Sequence, residues 1–120
     1  MPEKRITHLD AIFGQLIVSL RKEENMDQRD LSEKLGINQP ALSRLERGES
    51  AANVVMIDNL ARTFSISVSE LMGNFEEAVA KIENESVKIV PKKEIKDKKD
   101  DSNVAIALLG AAALALLLSR

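Results

Sequence analysis

A 22-residue stretch, DQRDLSEKLGINQPALSRLERG at residues 27–48, concentrates the side chains of this chain that are best suited to recognition chemistry. Its apolar residues Leu31, Leu35, Ile37, Leu42 and Leu45 fall on the inner sides of two short helices. Gln39, Ser43, Arg44 and Arg47 are left facing outward from the second helix, while Gln28 and Arg29 open the first. Their chemistry is hydrogen bonding and charge, with the arginine forks suited to bidentate contact. No reaction centre accompanies them. The chain has no cysteine, and His8, its one histidine, has no metal or catalytic partner in the sequence. There is no nucleophile–base constellation, Gly-rich phosphate loop or paired-carboxylate pattern. Neither catalysis nor a bound cofactor or metal is expected.

The elements that must hold these groups are legible from caps and periodicity. Thr7 and Asp10 have the spacing of a capping box, and Leu9, Ile12, Phe13, Leu16, Ile17 and Leu20 follow on one helical face. This predicts helix 1 at roughly 8–25, with His8 inert in its first turn. Asp27 caps a helix over Gln28–Leu35 that stops at Gly36. Asn38 caps Gln39–Arg47, with Pro40 in the first turn and Gly48 as the stop. Asn53 begins helix 4, with Val54, Ile57, Leu60 and Ala61 inward. Ser67 and Glu70 form a capping box for helix 5, ending near Met72. Phe75, Val79 and Ile82 offer two further amphipathic turns through Glu85, and Ser86–Val90 is β-prone. The fold class expected is all-α, five short helices with tight links.

In this register the chain resembles the Xre/Cro-type helix-turn-helix family, which includes the lambdoid phage repressors. The resemblance runs without a gap from FGQLIVSLRKEENM, beginning at Phe13, through NVVMIDNLARTFSISVSELM, ending at Met72. It implies a lambda-repressor-like DNA-binding domain that works as a homodimer on double-stranded DNA. It further implies that Gln39, first in the recognition helix, bonds an adenine. Arg44 reads a base as well, and an arginine suits guanine O6 and N7. Gln28 contacts phosphate at the start of helix 2. Ser43 and Arg47 are secondary candidates, and Arg29 and Asn38 flank the same surface. Arg21, late in helix 1, and Glu46 form a structural ion pair. Three departures stand out: the loop after helix 3, often basic in the family, reads Glu49-Ser50-Ala51-Ala52, helix 2 carries Asp27 and Asp30 beside Gln28 and Arg29, and Ser65 replaces a frequent glycine.

Charge complicates that picture. The chain carries a net −2, and residues 1–74 hold nine Lys/Arg against eleven Asp/Glu. Bulk electrostatic attraction to nucleic acid is therefore weak, and contact must rest on a few placed groups and on pairing of subunits. The acidic balance and Glu49 favour an alternative: a helix-turn-helix fold that serves as a protein-interaction module with weak or no DNA binding. The lack of cysteine and of a signal-peptide pattern at the start agrees with a cytoplasmic protein.

Residues 91–101, PKKEIKDKKDD, read as a solvated linker. Beyond them Val104–Leu118 is fifteen residues without a polar side chain. As a helix it would be roughly 22 Å long, short of the roughly 30 Å hydrocarbon core of a bilayer. It is nevertheless apolar all round, as a protein-facing helix is not. Six lysines from Lys88 to Lys99 lie on the side that would be cytoplasmic. Ala107, Ala111 and Ala115 form a small-residue stripe suited to helix pairing. Three segments follow: a DNA-binding domain at 1–74, an amphipathic segment and charged linker at 75–103, and an apolar C-terminal helix at 104–120. That last helix is read as an anchor to the inner face of a membrane, or else a self-association element.

Overall fold

Short polar side chains start most of the helices, as the sequence requires. In the computed structural model, which describes residues 5–85 and 87–91, the elements run β1 (Arg5–Thr7), α1 (Leu9–Glu23), α2 (Gln28–Leu35), α3 (Gln39–Glu46), α4 (Val54–Thr63), α5 (Val68–Asn84) and β2 (Val87–Ile89). Asp27, Asn38, Asn53 and Ser67 each accept a hydrogen bond from the backbone N–H three residues on, satisfying a donor that the first turn leaves unpaired. At α2 the box is reciprocal, Asp30 accepting in turn from the Asp27 backbone. The linker and the apolar tail lie outside the described residues.

Three expectations change at the ends of the domain. Thr7 does not cap α1. It is the last residue of β1, buried, and its carbonyl accepts from Val90 N at 2.9 Å. The cap is His8, itself buried, whose Nδ1 accepts from Ala11 N at 3.2 Å. Helix 5 does not stop near Met72 but continues as one helix across residue 74 to Asn84. The apolar positions at Phe75, Val79 and Ile82 are simply its next turns, facing α1. Val54 is not inward: as the first residue of α4 it is 81% exposed, because only from Met56 onward does that helix meet the core.

The return of α5 beside α1 brings the two ends of the domain together. β1 and β2 pair in parallel, with Arg5 opposite Val87 and Thr7 opposite Ile89. This two-stranded ladder is an addition to an otherwise helical fold. It covers a small apolar cluster of Ile12, Ala78, Ile82 and Val87. The main core is aliphatic, built from Leu16, Ile17, Leu31, Leu42, Leu45, Leu60 and Leu71 with Phe13 and Phe64. Each such side chain contributes about 1.5–3 kcal/mol of transfer free energy. Phe13 and Phe75 meet edge to face, ring centres 5.7 Å apart, and tie α1 to α5 between the two clusters.

Candidate nucleic-acid interface

The outward face of α2 and α3 is set by how deeply α3 is seated. Leu42 and Leu45 are buried on its inner side. Its C-terminal end then comes against α1 backbone to backbone. A Cβ at Gly14 would lie 2.4 Å from the Glu46 carbonyl oxygen and 2.5 Å from that of Leu45, so only a glycine admits this approach. Gly48 ends the helix at φ +76, and a Cβ there would fall 2.6 Å from the Ala11 Cα. Between α2 and α3, Gly36 takes the left-handed conformation and Ile37 N bonds back to the Ser32 carbonyl at 3.0 Å, closing the tight turn.

Behind the face lies one buried ion pair. Glu46, 3% exposed, accepts from Arg21 Nε at 2.8 Å through Oε2 and from Arg21 Nη2 at 3.1 Å through Oε1. The third guanidinium nitrogen, Nη1, donates to the Met26 carbonyl at 3.0 Å. Helix 1, the α1–α2 link and the end of α3 are thus joined at a single charged centre, and its orientation is fixed by paired bonds.

The candidate recognition residues divide by what already engages them. Gln39 and Arg44 are exposed on α3, five residues apart. Gln28, half-buried at the start of α2, donates from Nε2 to Glu46 Oε1 at 2.7 Å, and its own Oε1 accepts from Gln39 Nε2 at 3.5 Å. Arg29 is exposed one residue on, about 100° around the helix from Gln28. Asn38 is exposed, but its side-chain oxygen is taken up in capping α3.

Arg47 caps the end of α3 and lies against Glu49, Nε to Oε2 at 2.7 Å and Nη2 to Oε1 at 3.2 Å, while Nη1 bonds Ser43 Oγ. The hydrogen bond to Glu49 raises the Arg47 pKa above its ordinary value. One carboxylate, noticed in the sequence only as a departure from a basic loop, therefore occupies one of the cations of the face. The Glu46–Gln28 bond had no sequence signal, since it depends on the packing of three helices. At the rim, Asp27 is held below the ordinary aspartate pKa, chiefly by its bond from the Asp30 backbone N–H. Among the described residues no cluster of His, Cys, Asp and Glu could hold a metal ion, and no helix is long and apolar enough to cross a membrane.

This arrangement, a capped helix, a glycine turn and a second helix seated with its polar side outward, defines a helix-turn-helix. Residues 17–71, a little under half of the chain, match the helix-turn-helix family model, of the Cro/C1 type. The chain is 32% identical over 62 residues to the antitoxin PezA of Streptococcus pneumoniae, across 52% of this chain and 39% of that protein. It is 28% identical over 74 residues to the transcriptional activator BcrR of Enterococcus faecalis, across 62% of this chain and 36% of that one. The chain thus spans less than two-fifths of the length of either relative. In the crystal structure of the clp gene regulator ClgR from Corynebacterium glutamicum the fold recurs with a TM-score of 0.53 at 22% identity, covering 62% of this chain and 84% of that one.

Proposed function

We propose that this chain is a sequence-specific DNA-binding transcriptional regulator, a repressor that acts as a homodimer. The observation that supports it most is the seating of α3. Backbone contact at Gly14 and Gly48 sets its depth, and Gln39 and Arg44 stand exposed on the opposite side. Such a helix fits the major groove, where an amide matches adenine and a guanidinium matches guanine. One domain carries one such helix and reads one half-site. A second copy supplies the other, about one helical turn away. Because the domain is not basic, affinity rests on these placed groups more than on charge. The apolar tail Val104–Leu118, outside the described residues, is proposed to anchor the regulator at the inner face of a membrane, with the lysine-rich linker facing the cytoplasm.

One observation favours a second reading, a protein-interaction module. The Glu49 carboxylate sits on Arg47, an exposed cation that would otherwise be open to an anion. The test joins genome-wide binding of the tagged full chain to fractionation of the same cells. Discrete binding sites, with transcription of the adjoining genes rising on deletion, are expected; falling transcription would mean activation instead. Retention in the membrane fraction after high salt and alkaline carbonate is expected of the tail. Uniform background binding with a co-purifying protein partner would favour the interaction module.

A further inference from the structure

We propose that the groove between α1 and α5 is a binding site for a small alkylammonium ligand. The two helices run antiparallel, with Phe13 against Phe75 and Ile12 beside Ala78 and Ile82. Farther along they leave a recess of 130 Å³ floored by Leu16 and Leu20. That volume takes roughly four waters, or one short alkyl chain with a polar end. Ser19 also lines it and is only 7% exposed. Its hydroxyl makes no hydrogen bond to any described residue, yet it is not sealed off, so it opens into the recess. A hydroxyl this deep is ordinarily bonded, and here an occupant of the recess would supply the partner.

The charge at the rim selects the occupant. Glu23 and Glu77 line the recess, and no salt bridge among the described residues engages either. Lys81 lies at the Leu16 end and is already engaged by another group. Glu23 is the last residue of α1, where the helix dipole adds partial negative charge. An acidic rim over an apolar floor is the complement of an ammonium on a short alkyl stem. Its three N–H donors suit the two carboxylates and the Ser19 oxygen, while the stem covers the two leucines. Gly14 and Arg21 turn toward α3. Leu16, Ser19 and Glu23 lie roughly 140–180° around α1 from them. The recess therefore opens away from α3, and an occupant leaves Gln39 and Arg44 uncovered. The site stands whatever the α3 face binds.

The experiment titrates the isotope-labelled full chain with n-butylammonium chloride at constant ionic strength and follows the backbone amide signals by NMR. Saturable shifts confined to the surroundings of Ser19, Asn74 and Glu77 are expected. Half-saturation should fall in the millimolar range for a ligand of about five heavy atoms. n-Butanol, which has the same shape without the charge, should bind about tenfold more weakly or worse. Glu77→Gln and Ser19→Ala should each raise the half-saturation concentration by about threefold or more, with the amide spectrum showing that the fold is kept. Glu76→Gln, at the exposed neighbouring residue, should leave it unchanged. Shifts that grow without saturating, or that follow every surface carboxylate alike, overturn the site. So does equal binding of n-butanol, or unchanged affinity in Glu77→Gln or Ser19→Ala.

Discussion

Arg21 and Glu46 lie 25 residues apart in sequence and are joined by two parallel hydrogen bonds, 2.8 and 3.1 Å, in the buried angle between α1 and α3. Removing one partner strands the other charge away from water. Glu46→Ala should therefore destabilise the domain by about 3–5 kcal/mol, while replacing both residues with apolar ones of similar volume should be much milder. Urea unfolding of the single and double variants measures this. Equal, small effects would mean that the pair is solvated.

The close approach of α1 to α3 makes a second prediction with an unusual sign. In an open helix Gly→Ala gains about 1 kcal/mol. At Gly14 the added methyl meets two backbone carbonyls at 2.4 and 2.5 Å, which cannot rotate away. Gly14→Ala should lower stability by about 1–3 kcal/mol and also weaken DNA binding, because it shifts α3 outward. Stability raised by the substitution would contradict the packing.

Ser65 sits at φ +60 in the link from α4 to α5, a conformation that a side chain resists. It is exposed, so nothing is lost by removing its hydroxymethyl group. Ser65→Gly should stabilise the domain by about 0.5–1 kcal/mol, seen as a rise of a few degrees in Tm, with DNA binding unchanged.

The Glu49 carboxylate competes with any phosphate for Arg47. Glu49→Gln should raise affinity for all duplexes alike, by about two- to fivefold at low salt, with a smaller gain as salt rises. The sequence preference should stay the same. Fluorescence anisotropy with two unrelated duplexes checks this, and unchanged or weaker binding would show that Arg47 does not face the phosphates.

Much of this fold was legible because its helix starts are chemical. Asp27, Asn38, Asn53 and Ser67 are all side-chain caps, and Gly36 and Gly48 both take positive φ. What was not legible depends on contacts distant in sequence. Nothing local marks Arg5–Thr7 and Val87–Ile89 as partners, since three-residue strands carry almost no pattern. The amphipathic turns at Phe75, Val79 and Ile82 were legible, but their unbroken continuation of α5 past Met72 was not, since it follows from packing beside Ile12 of α1. Val54 was misplaced because an apolar residue at a helix start looks like a core residue until the first turn is oriented. At the site, the outward residues followed from the helical period. The bonds from Glu46 to Gln28 and from Gln28 to Gln39 required the three-helix geometry itself.

The central claim is that Gln39 and Arg44 read bases. The most direct measurement compares the affinity of the full chain for the duplex it enriches from a random pool with its affinity for an unrelated duplex of equal length, at about 0.15 M salt. The wild type should prefer the selected duplex by about 10³-fold or more, and that duplex should contain two symmetric half-sites roughly 10 base pairs apart. Arg44→Ala should erase a large part of the preference, about 1–3 kcal/mol per contacted base pair, by weakening only the selected duplex. Equal affinity of the wild type for both duplexes, or a uniform loss in Arg44→Ala, would contradict the claim.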